Sequence, residues 1–133
     1  RYYENSPLFL MDKVVTPILI MHNDQDGHVP WYQGIEYFVA LKRLGKPAWM
    51  LNYTGEPHWP TKTPNKLDFQ IRMKQFFDHY LKGEPMPKWM EEGVPAVKQP
   101  YELGYWFNYK ICKVEVAYLL YKIKYFVNKE IFR

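Results

Sequence analysis

The stretch Val14-Val15-Thr16-Pro17-Ile18-Leu19-Ile20-Met21 constrains the fold more than any other part of the chain. A strand with one wet face alternates apolar and polar residues. This run is nearly continuous and rich in β-branched side chains, as a strand covered on both faces of a parallel sheet requires. Pro17 cannot donate to a ladder and must therefore stand near the start of the strand. The covering elements follow in order. After a loop from His22 to Val29, Pro30 suits a first helical position, Ile35, Phe38, Val39 and Leu41 recur at roughly helical spacing, and Gly45 supplies a stop. Ala48 to Tyr53 reads as a second short strand, and Thr54 to Pro64, dense in Gly, Pro and Thr, reads as a loop. Phe69, Met73, Phe76, Phe77, Tyr80 and Leu81 then form a wide apolar stripe, which predicts a helix over Asp68 to Lys82 ended by Gly83. Strand, helix, strand, helix is the order of an α/β layer fold.

Beyond that unit the composition changes twice. Glu84 to Pro100 carries Pro85, Pro87, Pro95 and Pro100 and is expected to run extended over the surface. Residues 101–133 have no proline and ten aromatics, so a boundary is placed near Tyr101, with 1–100 as the main unit and 101–133 as an atypical aromatic and basic tail. The net charge is +4, of which +3 lies in that tail. The near-neutral main unit argues against nucleic acid as a partner. Val114 to Val127, the longest apolar candidate, is broken by Lys122 and Lys124 and falls short of the roughly 18 residues of a transmembrane segment. A single cysteine, Cys112, makes neither an intrachain disulfide nor a cysteine cluster, and no HExxH motif is present, so no metal and no cofactor are expected. Arg1 to Pro7 shows no targeting signal, and a start at arginine leads us to expect the true start further upstream.

The two loops after the strands carry the chemistry. One is His22-Asn23-Asp24-Gln25-Asp26-Gly27-His28-Val29-Pro30, and the other contains Gly55-Glu56-Pro57-His58. The segment from Pro17 to Pro30 resembles the Pro-hydrophobic-His-Gly-x-x-Asp-x-x-Val-Pro pattern of the prolyl oligopeptidase family of serine peptidases, which includes dipeptidyl and acylaminoacyl peptidases. Gln33, the helix end Leu41-Lys-Arg-Leu-Gly-Lys-Pro47, the loop Gly55-Glu-Pro-His58 and the helix end Phe76-Phe77-Asp78-His79-Tyr80-Leu81-Lys82-Gly83 match further family motifs in order. The sequence departs from the pattern at Asn23, where glycine is usual, and at Trp59-Pro60, where a small residue commonly follows the histidine. The resemblance implies the C-terminal portion of an α/β-hydrolase fold, an incomplete parallel sheet with flanking helices.

It also implies a catalytic triad in the order Ser, Asp, His, with Asp26 as the acid and His58 as the base. Both loops should leave neighbouring strand ends, so the two side chains are expected within hydrogen-bond reach. As plain residues, Asp26 could be a solvated turn former and His58 a surface loop histidine. Asp24 is the one nearby rival for the acid. His22 is expected to support its loop, His28 to be solvated, His79 to sit at a packing boundary, and Glu56 to shape the loop without a catalytic role. Ser6, the only serine, stands in Asn5-Ser6-Pro7 without the flanking glycines of a nucleophile elbow, and Cys112 is out of order for a substitute. The nucleophile is therefore expected upstream of Arg1, in a missing N-terminal part of the catalytic domain preceded by a propeller domain. The function so implied is hydrolysis of a peptide substrate by acyl transfer, this piece alone being inactive. Alternatives are an esterase on the same fold, a truncated non-catalytic interaction protein, and a membrane-surface role for the face Phe107, Ile111, Val114, Tyr118, Tyr121 and Tyr125.

Overall fold

The structure is a computed structural model that describes residues 1–99 and 101–107. Cys112, the 114–127 stretch and nearly all of the aromatic face proposed for a membrane surface lie outside the described residues.

A four-residue helix, α1 (Tyr2–Asn5), and a 3-10 helix (Pro7–Lys13) lead into β1 (Ile18–Met21). Pro17 directly precedes the strand, where its missing N–H costs the ladder nothing. α2 (Trp31–Arg43) crosses over to β2 (Ala48–Leu51), which pairs parallel with β1 in the register Ile18 to Ala48 through Met21 to Leu51. α3 (Thr63–Lys82) and the short α4 (Lys88–Glu91) complete the unit. The order of elements read from the sequence is the order observed. α3 begins five residues earlier than its apolar stripe indicates, because Pro64 fits the first turn of a helix rather than a loop. Gly83 closes it at φ +74°, a conformation that a side chain would strain.

The strands present alternate residues to two layers. Ile18, Ile20 and Ala48 pack with Met11, Leu41 and Phe38 on the α2 side. Leu19, Trp49 and Leu51 pack with Phe76, Trp89, Met90 and Tyr105 on the α3 side. Continuous apolarity along β1 thus has the cause expected of it, cover on both faces.

The segment after Gly83 differs from its expected course over the surface. Trp89 and Met90 are buried, and the Trp49 indole donates to Met90 O at 2.7 Å while the Trp89 indole donates to Gln75 Oε1 at 2.8 Å. The surrounding prolines turn the backbone so that one helical turn can press this pair onto α3. Packing also continues past the composition change at Tyr101. Arg72 donates to Leu103 O, Gln75 donates to Tyr105 O, and the Trp89 and Lys88 backbone N–H groups donate to Gly104 O and Trp106 O. Asp68 lies beneath this strip and accepts from Arg72 Nε at 2.7 Å, from the Tyr53 hydroxyl at 2.6 Å and from the Tyr105 hydroxyl. Burial and the bond to Asp68 push both tyrosine hydroxyls up from their ordinary range. Burial opposes the charge on Asp68, but the Arg72, Tyr105 and Tyr53 bonds outweigh it and hold its carboxyl below the usual value.

Candidate active site

Parallel strands deliver both loops to one edge of the sheet, since β1 and β2 end side by side at Met21 and Leu51. His22 N still donates to Leu51 O at 3.1 Å, and beyond it side chains take over the pairing. Asn23 is fully buried, accepts from Tyr53 N at 3.0 Å and donates to Pro57 O at 2.7 Å. Asp24 Oδ1 accepts from Gly55 N at 2.7 Å, and Gln25 N donates to Glu56 O. The asparagine that departs from the family pattern therefore bridges the two loops. A glycine there has no side chain to do so.

Asp26 and His58 meet at the end of this lacing. His58 Nδ1 donates to Asp26 Oδ2 at 2.7 Å, and the Asp26 side chain is only 2% exposed. Its other oxygen, Oδ1, accepts from the backbone N–H groups of His28 at 2.8 Å and Val29 at 3.0 Å. Burial works against the ionised carboxyl, yet the Val29 N–H, the His58 ring and the His28 N–H together hold it far below the ordinary carboxylate range. A fixed anion on Nδ1 selects the tautomer in which His58 Nε2 carries a lone pair, the form able to accept a proton. The His58 side chain is 38% exposed, and the His28 and Trp59 rings stand edge-to-face against it with centroids 5.4 and 5.3 Å away.

Of the other residues singled out in the sequence, Asp24 is engaged with Gly55 and not with a histidine. His22 is buried and donates from Nε2 to Val29 O at 3.1 Å. His79 donates from Nδ1 to Glu84 O at 2.7 Å, beyond the end of α3. Glu56 is fully buried and accepts from Thr61 N, Thr61 Oγ1, Lys62 N and Asn65 Nδ2 at 2.6 to 3.0 Å. Burial opposes its charge, but the Thr61, Asn65 and Lys62 donors win and lower its pKa to about 2. Glu56 thereby anchors the histidine loop to the N-terminus of α3, where an anion is also favoured by the helix dipole. Its only trace in the sequence is an acid placed two residues before the histidine and shortly before Thr61, Lys62 and Asn65. Among the described residues, no group of three His, Cys, Asp or Glu side chains is arranged to hold a metal ion.

A model described as the prolyl oligopeptidase family matches residues 1–84. The chain belongs to the prolyl oligopeptidase family. That family implies an α/β-hydrolase fold, and the parallel strand pair with helices on both faces fits it. Among similar proteins, dipeptidyl-peptidase 5 of Porphyromonas endodontalis is 35% identical over 82 residues, covering 62% of this chain and 12% of that protein. Dipeptidyl-peptidase 5 of Aspergillus fumigatus is 36% identical over 85 residues with the same two shares, and that of Trichophyton schoenleinii is 40% identical over 58 residues, 44% and 8%. The chain thus spans at most about an eighth of the length of these prolyl oligopeptidase-family relatives. Among the described residues no helix is long and apolar enough to cross a membrane.

Proposed function

We propose that this chain supplies the acid and the base of a serine-peptidase triad, Asp26 and His58, to a catalytic domain of which it forms the C-terminal portion. The supporting observation is the 2.7 Å bond from His58 Nδ1 to a buried, ionised Asp26, with Asp24 turned away to Gly55. In this reading His58 Nε2 takes the proton of a serine hydroxyl as that oxygen attacks the scissile carbonyl. His58 then returns the proton to the leaving amine, and water repeats the cycle on the acyl-enzyme. Asp26 stays ionised throughout and stabilises the imidazolium. The serine and the oxyanion donors come from a preceding part of a longer chain, with a propeller domain before it. The hydrolase unit comprises residues 1–100 together with Leu103 to Trp106, which pack on α3 and α4. The names of the relatives favour peptides cleaved two residues from the amino end as substrates.

The test compares the 133-residue chain with the longer reading frame that contains it, using a chromogenic dipeptide anilide and a matching ester. The chain alone should turn over neither above background, for want of a nucleophile and aligned oxyanion donors. The longer protein should cleave the anilide and lose that activity on His58→Ala. Ester cleavage without anilide cleavage would favour an esterase. Anilide hydrolysis by the short chain would overturn the division of the triad.

A further inference from the structure

Gly34 is the buried glycine of α2, and its backbone gives no reason for it: unlike Gly45, Gly55 and Gly83, it does not adopt a positive φ. Glycine is the poorest helix former after proline, so a glycine with ordinary helical geometry calls for a packing cause. The cause is His22. A Cβ at position 34 would lie 2.2 Å from His22 Nδ1 and 2.8 Å from His22 Cγ. The ring is wedged, with Trp31 edge-to-face at a centroid distance of 5.5 Å, and it has no free end to swing away. On its far side Nε2–H donates to Val29 O at 3.1 Å and stands 3.4 Å from Asp26 Oδ2, the oxygen that accepts the hydrogen bond from His58 Nδ1–H.

We infer that Gly34 and His22 act as positioning residues for the Asp26 carboxylate, the glycine giving the imidazole room to hold the Asp26 turn from behind. This rests on the reading of Asp26 and His58 as triad acid and base. His22 fixes the Val29 carbonyl, while the Val29 N–H holds Asp26 Oδ1. The ring therefore braces both oxygens, one through the backbone of Val29, whose carbonyl it holds, and one by direct approach. A methyl group at position 34 must push the ring toward Asp26, and a displacement of about 1 Å at such a support can cost on the order of 10²-fold in rate.

The experiment measures kcat and KM separately on the natural full-length protein. His22→Phe and Gly34→Ala should each lower kcat by about 10- to 100-fold with KM little changed. His22→Gln, which can place an amide N–H near the lost Nε2–H, should restore most of kcat. If Gly34→Ala does not fold, the double variant His22→Ala/Gly34→Ala decides, because removing the ring opens the space for Cβ. It should fold and remain slow, and a double variant that stays unfolded overturns the steric claim. Parental kcat in His22→Phe, beside a slow Asp26→Asn, overturns the positioning role and leaves the triad reading intact. Parental kcat in Asp26→Asn instead removes the triad reading itself.

Discussion

The C-terminal end of β2 and its α3-side face are held in opposite ways. At its C-terminal end the loops carrying Asp26 and His58 are joined almost wholly by hydrogen bonds, through Asn23, Asp24, Gln25 and Asp26 in turn. On the α3 side, Trp49, Phe76, Trp89, Met90 and Tyr105 form an aromatic mass around Arg72, whose guanidinium lies 5.1 and 5.2 Å from the Trp89 and Tyr105 ring centres. Apolar burial is large but directionless and supplies stability, whereas hydrogen bonds contribute little net energy and fix atoms in place. Precision and stability therefore reside in different regions. Substitutions should separate them.

The largest separation is expected for Asp26→Asn in the longer protein. The rate should fall on the order of 10⁴-fold as the histidine loses its tautomer, while the fold survives with a lowered urea midpoint because the charge that the Val29, His58 and His28 donors favour is gone. A matching loss of fold would merge the two regions. Trp89→Ala should do the reverse and cost about 3–5 kcal/mol of stability by denaturant titration, with full activity per folded molecule. A rate loss in the folded fraction would show that the aromatic layer also sets the loops.

Asn23→Ala should fall between them. It leaves Tyr53 N and Pro57 O without their side-chain partner in a part-buried place, so about 1–3 kcal/mol should be lost together with part of the rate. Glu56 sharpens the contrast through pH. Its folded pKa of about 2 lies below its ordinary 4.5, so the stability it contributes is present above pH 4.5 and disappears as the pH falls toward 2. Glu56→Gln should flatten that part of the acid-unfolding curve, and an unchanged curve would remove Glu56 from the loop's support. Asp24→Asn should do least, under about 1 kcal/mol and with the rate nearly intact, because it serves a single exposed bond to Gly55 N. A loss comparable to that of Asp26→Asn would reverse the assignment of the acid.

Local chemistry made much of this legible. β-branched residues after Pro17, Pro30 before α2, the apolar stripe of α3 and Gly83 at its end each express a rule confined to a few neighbouring residues. The closeness of Asp26 and His58 was legible too, because parallel strands must place their following loops together. Trp89 was not. Four prolines around it signal an exposed path, and its burial depends on Gln75 and Arg72, which are distant in the chain. The bridging by Asn23 was equally hidden, since its partners lie 30 and 34 residues away and nothing near it announces them. Gly34 left a visible sign, a glycine within a helical pattern, but its reason lay on another element.

The parallel pairing of β1 and β2 also has a kinetic consequence. Two parallel strands cannot close through a tight turn, so the chain must first lay down α2 before Ile18 can find Ala48. Asp26 and His58, 32 residues apart, meet only after that long-range closure, whose entropy is lost before any contact rewards it. Their bond should therefore be among the last contacts to form and among the first to dissolve under mild denaturant. A probe on His58 would then report opening of the sheet edge while the far-ultraviolet signal of α2 and α3 still stands.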